Sequence, residues 1–239
     1  MPHTLDIWLA GAPQIDLLAP DIYFGDFETW CRQYTRRGNP LFIPEMRRGA
    51  DGARYVFAAI GHGAIGTSPF GIDSIEDLDD APIRTSYALL RQLAPLILAR
   101  QSSGTIAGFV LDAEHPSVTC ELGGYELLIG MDRRPGQPIE HGYGIVIATD
   151  LGTFVGAGFG FQVTFRPITP GPALVGIEAV DEGEYRNGQW VTGRRLNGDE
   201  TFSGSMWRFP ASKSDISVFP IPILGPGAGI SRCTVYRYE

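Results

Sequence analysis

The sequence predicts α/β architecture over residues 1–103 and all-β architecture over residues 104–239. In the first part, apolar runs closed by Gly, Pro or an acidic residue alternate with amphipathic stretches. IDLLAPDIY precedes DFETWCRQYTRR, PLFIPE precedes ADGARYVFAAIGHG, and AIGTSPFGID precedes APIRTSYALLRQLAPLILARQ. Near-continuous apolar strands followed by helices indicate a parallel sheet that those helices cover. The strands begin near Leu17, Pro40 and Ala64, a repeat of 23 and 24 residues. So compact and regular a unit suits the wall of a (β/α)₈ barrel, of which about three βα units are present.

From Gly104 the texture changes to short alternating segments: TIAGFVL, SVTCEL, YELLIGMD, YGIVIATD, TFVGAG, FQVTFRP, ALVGIEAV, QWVTGRRL, SGSMWRF, SDISVFPI and CTVYRYE. Asn187-Gly188 and Asn197-Gly198 are the clearest hairpin signals between them. Many short strands without a helix imply an antiparallel sandwich or jelly roll.

Composition narrows the functional classes. A net charge of -8 over 239 residues offers no basic stripe of the kind a phosphate backbone requires, so nucleic acid is not an expected partner. No run of about 18 apolar residues is present, and the start MPHTLDIWLAGAP lacks a basic region before an apolar core, so neither a membrane span nor an export signal is expected. Cys31, Cys120 and Cys233 lie far apart without metal-ligand spacing, and no metal or cofactor is called for.

The candidate chemistry collects at the ends of the predicted strands, where barrel enzymes place their reacting groups. Glu45 closes PLFIPE behind the rigid Pro44 and could serve as nucleophile or base. It could equally cap the following helix or pair with Arg47 or Arg48. Asp21 and Tyr23 close the preceding strand and could hydrogen-bond Glu45 or a ligand, or cap a loop. Asp73, in SPFGID, carries the same alternatives. His62 reads as a helix-end residue, and His115 and His141 sit in polar turns. DEGEYRNGQW and RRLNGDET concentrate acids and glycines that could hold a calcium ion or a sugar hydroxyl, with hairpin turns the simpler account. Trp190 and Trp207 are either sugar-stacking platforms or core.

The run TLDIWLAGAPQIDLLAPDIYFGDFETWCRQYTRRGNPLFIPEMRR, continued by AIGTSPFGIDS, SYALLRQLAPLI, EGEYRNGQWVTGRRLNGDET and the terminal VYRYE, resembles the bacterial β-galactosidases of glycoside hydrolase family 35. It is most similar to the subgroup with a C-terminal β-domain of unassigned function. The resemblance makes IDLLAPDIY, PLFIPE and AIGTSPFGID the sixth, seventh and eighth barrel strands and Glu45 the nucleophile. Tyr23, Asp21 and Phe70 become the expected substrate-binding side chains, and a β-galactoside or related glycan the expected ligand. Met46 stands where the family more commonly has a small residue. The family's acid/base glutamate follows the fourth strand, and nothing here corresponds to it. The implied protein is therefore a nucleophile-bearing part of a retaining glycosidase, inactive as this chain alone, which pairs with a complementary barrel half or with itself. The other reading is a non-catalytic module for binding glycan or a partner chain.

Overall fold

The computed structural model describes residues 2–76, 81–133, 139–210 and 229–239. The expected strand SDISVFPI, residues 214–221, lies outside them. The chain divides into two compact units, Met1–Tyr87 and Ala88–Glu239. The expected boundary at 103/104 marks where helix gives way to strands, whereas the units part within a helix, α4.

In the first unit, α1 (Leu5–Gly11) is followed by β1 (Asp21–Ile22), α2 (Phe27–Tyr34), β2 (Phe42–Met46), α3 (Gly49–Gly61) and β3 (Gly66–Pro69). A 3₁₀ turn covers Ile72–Ser74, and α4 (Pro82–Arg100) begins here and continues into the second unit. The three strands pair in parallel in the order β1-β2-β3, so β2 is central and β1 and β3 are each paired on one side only among the described residues. Leu41 just before β2, Ile43 and Met46 along it, and Val56, Phe57 and Ala59 from α3 are fully buried in the core of this unit.

β1 is far shorter than the apolar run IDLLAPDIY suggests, and Asn39 supplies the reason. Its fully buried carboxamide accepts from Leu18 N–H at 2.7 Å and donates to Leu18 O at 3.1 Å and Tyr34 O at 2.8 Å. A side chain thus satisfies backbone groups that a neighbouring strand would otherwise satisfy. Pro20, which has no N–H, interrupts the ladder just before Asp21.

α2 starts where it does because Asp26 caps it, accepting from Thr29 N–H at 3.1 Å. The Thr29 hydroxyl hydrogen bond, with the backbone bond, holds the Asp26 carboxyl below its ordinary value. Asp26→Ala should cost about 1 kcal/mol of stability, measured by chemical denaturation at neutral pH. A depressed carboxyl contributes above its unfolded value and loses that contribution as pH falls through the folded one. The difference between wild type and variant should therefore shrink below about pH 4; a pH-independent difference would contradict this.

The second unit holds two antiparallel sheets. One has the order β11-β10-β13-β8-β7-β4, built from β4 (Ile106–Leu111), β7 (Gly142–Asp150), β8 (Thr153–Phe159), β10 (Leu174–Arg186), β11 (Gln189–Arg195) and β13 (Ile230–Tyr238). The other has the order β12-β9-β6-β5, from β5 (Ser117–Leu122), β6 (Tyr125–Met131), β9 (Phe161–Pro167) and β12 (Trp207–Phe209). Alternate residues of both sheets meet in one core, with Phe109, Val146, Phe154 and Cys233 from the larger sheet and Leu127, Ile129, Phe161 and Trp207 from the smaller. Period-2 burial along β6 follows directly from its sequence, YELLIGM.

Asn187-Gly188 joins β10 to β11 as expected of a tight hairpin, with φ of 52° and 77° at the two turn residues. Asn197-Gly198 does not make a hairpin. The next strand, β12, pairs with β9 in the other sheet, and Asn197 Oδ1 instead accepts from the N–H groups of Asp199 and Glu200 to fold a compact loop. Nor do the acids of DEGEYR lie in a turn. They continue β10 past a bulge at Glu182/Gly183, where Asp181 pairs with Arg195 and Glu182 with Arg194.

Candidate functional site

Glu45 lies near the C-terminal end of the central strand β2, in parallel register with Asp21 on β1. Register partners in a parallel pair sit about 4.8 Å apart and project to the same face. Tyr23, two residues beyond Asp21, projects that way too, and its Oη donates to Glu45 Oε2 at 3.0 Å. Desolvation of this half-buried phenol, then the hydrogen bond to Glu45 and the charges of Glu45 and Asp21, raise Tyr23 above its ordinary value. The phenol therefore remains a donor at neutral pH and fixes one carboxylate oxygen.

Neither structural role open to Glu45 is realised: the N-cap of α3 receives no side-chain hydrogen bond, and the two arginines bond elsewhere. α3 begins at Arg48 without a side-chain cap. Arg47 donates from Nε to Tyr23 O at 2.7 Å and from Nη1 to Asp51 Oδ2 at 3.1 Å, with its guanidinium 5.2 Å from the centroid of the Phe24 ring. Arg48 Nη1 donates to Gly71 O at 2.6 Å. Both arginines thus brace the loops around the carboxylate. Gly71 has φ of 63°, a left-handed conformation that favours glycine, and a Cβ there would displace the Arg48 guanidinium, 2.8 Å away.

A cleft of about 570 Å³ opens beside this group, lined by Tyr23, Met46, Arg47, Arg48, Phe70 and Gly71 among others. Phe70 is exposed at its rim, with its N–H bonded to Met46 O at 2.9 Å, and Phe24 is exposed as well. Of the site residues expected from sequence, Tyr23 and Glu45 are in contact, Asp21 is the register neighbour of Glu45, and Phe70 shares the cleft with Tyr23. Asp21 also lines a separate cleft with Trp30 and Tyr34. Asp73 is exposed in the 3₁₀ turn. His62 ends α3 and lies 3.2 Å from Glu28 Oε2. Sequence reasoning missed Arg47 as a brace and Phe24 as its ring partner. The adjacent pair Arg47-Arg48 was the available signal, but its partners lie on other loops.

Burial pushes the Cys31 thiol up to about 12 and that of Cys120 up to about 11, so both are protonated and inert at neutral pH. All three cysteines are free. Among the described residues no group of three or more His, Cys, Asp or Glu side chains could hold a metal ion, and no helix is long and apolar enough to cross a membrane. Trp207 is fully buried, its Nε1 donating to Ser231 Oγ at 2.7 Å, so it is core and not a platform.

Fold and site together define a mixed α/β protein: a parallel three-stranded unit that presents a tyrosine-held carboxylate at its strand ends, and a unit of two antiparallel sheets. The chain belongs to the family described as Domain of unknown function (DUF5597), whose model matches residues 83–208, from α4 to β12. No curated protein matches it.

Proposed function

We propose that the chain carries the nucleophile side of a retaining β-galactosidase-like glycoside hydrolase, with the parallel unit forming part of a (β/α)₈ barrel wall. The observation that carries the reading is the Tyr23–Glu45 pair at 3.0 Å, at the C-terminal ends of adjacent parallel strands. Barrel enzymes assemble their chemistry at that end. With one oxygen held by Tyr23, the other carboxylate oxygen of Glu45 is free to attack an anomeric carbon and form a glycosyl ester. Retention also requires a carboxylic acid about 5–5.5 Å away to protonate the leaving oxygen and later activate water. Asp21 is the register neighbour of Glu45, but it does not stand at the acid/base position that the family resemblance implies. The acid comes from barrel strands beyond these three, supplied by a complementary segment. Exposed Phe70, at the rim of the cleft, offers an apolar face to a sugar.

The edges of β1 and β3 that are unpaired among the described residues suit pairing with such a segment. The purified chain should not hydrolyse a β-galactoside, because loss of general acid help costs ~10²–10⁴ in rate and the site is unclosed. Activity should appear when a polypeptide carrying the remaining barrel strands is joined to it or mixed with it. An activated aryl galactoside, which needs little protonation, is the sensitive substrate. Robust hydrolysis of an unactivated disaccharide by the chain alone would show that Asp21 or another carboxyl here serves as the acid.

A further inference from the structure

The unit of two sheets carries a concave feature of its own, remote in sequence from Glu45. It is a pocket of about 330 Å³ on the larger sheet, between β10, the end of β13 and the loop that follows β11. A volume of this size lies at the small end of the range for small-molecule sites, about 300–1,000 Å³. Its walls include Tyr236 and Tyr238, which keep 49% and 44% of their surface exposed although both lie in a regular strand. Their ring centroids are 5.6 Å apart with planes inclined by 35°. Gly176 is the register partner of Tyr236, and a Cβ built on it would meet the Tyr236 ring at 2.7 Å. The absent side chain thus lets this ring lie against the sheet and present its other face.

Around the rings stand groups of mixed polarity: Glu178, Arg195, Asn197, Ser203 and Ser205. Asp181 engages Arg195 through Nε and Nη2, which leaves Nη1 as a donor. Asn197 Oδ1 is committed to two backbone N–H groups, which leaves its amide nitrogen as a donor. Glu178 contributes acceptors. The rim is held in an unusual backbone conformation, with Phe202 and Ser203 both left-handed at φ of 54° and 57°. Ser203 N–H to Gly198 O at 2.7 Å and Ile177 N–H to Gly204 O at 2.8 Å hold it there. Strain of this kind persists where the surroundings over-determine it, and it pre-forms a site.

We infer that this pocket is a saccharide-binding site, with Tyr236 and Tyr238 as the platform for a pyranose ring and Glu178, Arg195 and Asn197 as partners of its hydroxyls. A sugar ring has an apolar C–H face and a polar edge whose hydroxyls donate and accept at once. The electron-rich face of a phenol ring meets the C–H face, and adjacent donors and acceptors meet the edge. A wholly apolar ligand would desolvate Glu178 and Arg195 without replacing their hydrogen bonds. A phosphorylated ligand would face the Glu178 carboxylate in a chain of net charge -8.

The test is an amide chemical-shift titration of the ¹⁵N-labelled full chain with xylobiose, cellobiose and galactobiose in turn. At least one disaccharide should give saturable shifts at residues 175–178, 196–205 and 236–238, with a millimolar dissociation constant. Tyr236→Ala and Gly176→Val should each weaken binding about tenfold or more, as loss of an aromatic anchor does. Tyr236→Phe should retain it, and Glu45→Gln should leave it unchanged, which separates this site from the barrel-strand cleft. Should Tyr236→Ala or Gly176→Val fail to fold, Glu178→Gln, at an exposed side chain, must still weaken binding. No saturable shift with any of the three sugars, shifts unaltered by these variants, or shifts confined to the surroundings of Tyr23 and Phe70 would overturn the inference.

Discussion

Glu45→Gln should abolish the β-galactoside turnover that we propose for the chain joined to further barrel strands, while leaving the fold intact. The amide is nearly isosteric with the carboxylate and can still accept from Tyr23 Oη, so the thermal midpoint should move by no more than about 2 °C. An amide cannot attack the anomeric carbon, so no glycosyl ester forms, and kcat should fall by a factor on the order of 10⁴ or more. Steady-state kinetics with an aryl galactoside measure this directly. The geometry makes the expectation specific to Glu45: Asp21 lies on the neighbouring strand, in register with it, yet only Glu45 receives the Tyr23 hydrogen bond. A Gln variant that turns over like wild type would remove Glu45 from the nucleophile role.

The second large effect is structural. Trp207→Ala should destabilise the unit of two sheets by about 3–5 kcal/mol, because truncating a large core aromatic loses its transfer free energy and leaves a cavity. Trp207 is fully buried, its ring 4.9 Å from that of Phe209 and 6.4 Å from that of Phe165. The truncation also removes the donor to Ser231 Oγ, stranding a buried hydroxyl. Across the barrier between sheets, Gly156 is shaped to this indole: a Cβ there would meet Trp207 Cη2 at 2.7 Å and Phe209 Cζ at 2.5 Å. Trp190, which lies on β11 and outside the common core, is the control. Thermal scans should show a drop of roughly 10 °C for Trp207→Ala and little change for Trp190→Ala. Equal effects would contradict the placement of the core.

The contrast between the two tryptophans shows what a sequence reveals and what it conceals. Both sit in strand-like segments, where local pattern favours core over platform for each alike. Only the partner sheet decides between them. Likewise the apolar run through Phe42–Met46 announces β2, and Asn187-Gly188 announces its hairpin, because the residues that force the conformation lie within the segment itself. β1 is cut to two residues by Asn39, a side chain some twenty positions away whose role depends on the packing of α2. The acids of DEGEYR look like turn residues until Arg194 and Arg195, their partners across the hairpin, are placed opposite them. At the candidate site the strand-end position of Glu45 was legible, since Pro44 and the apolar run fix it. Tyr23 was legible as one candidate partner of Glu45, and the parallel register of β1 on β2 is what selects its hydroxyl over the Asp21 carboxyl as the donor. The platform of Tyr236 and Tyr238 was hidden for a similar reason, as it depends on Gly176 standing opposite in β10.

The most direct test of the central claim is covalent trapping. The chain, completed with the remaining barrel strands, is incubated with an activated 2-deoxy-2-fluoro-β-galactoside, which forms the glycosyl ester but slows its hydrolysis, and is then digested and mapped by mass spectrometry. The proposal predicts one added fluorogalactosyl group per chain, located on the peptide containing Glu45 and absent from Glu45→Gln. A label on any other residue of the chain, or turnover of galactoside with no label on Glu45, would contradict it.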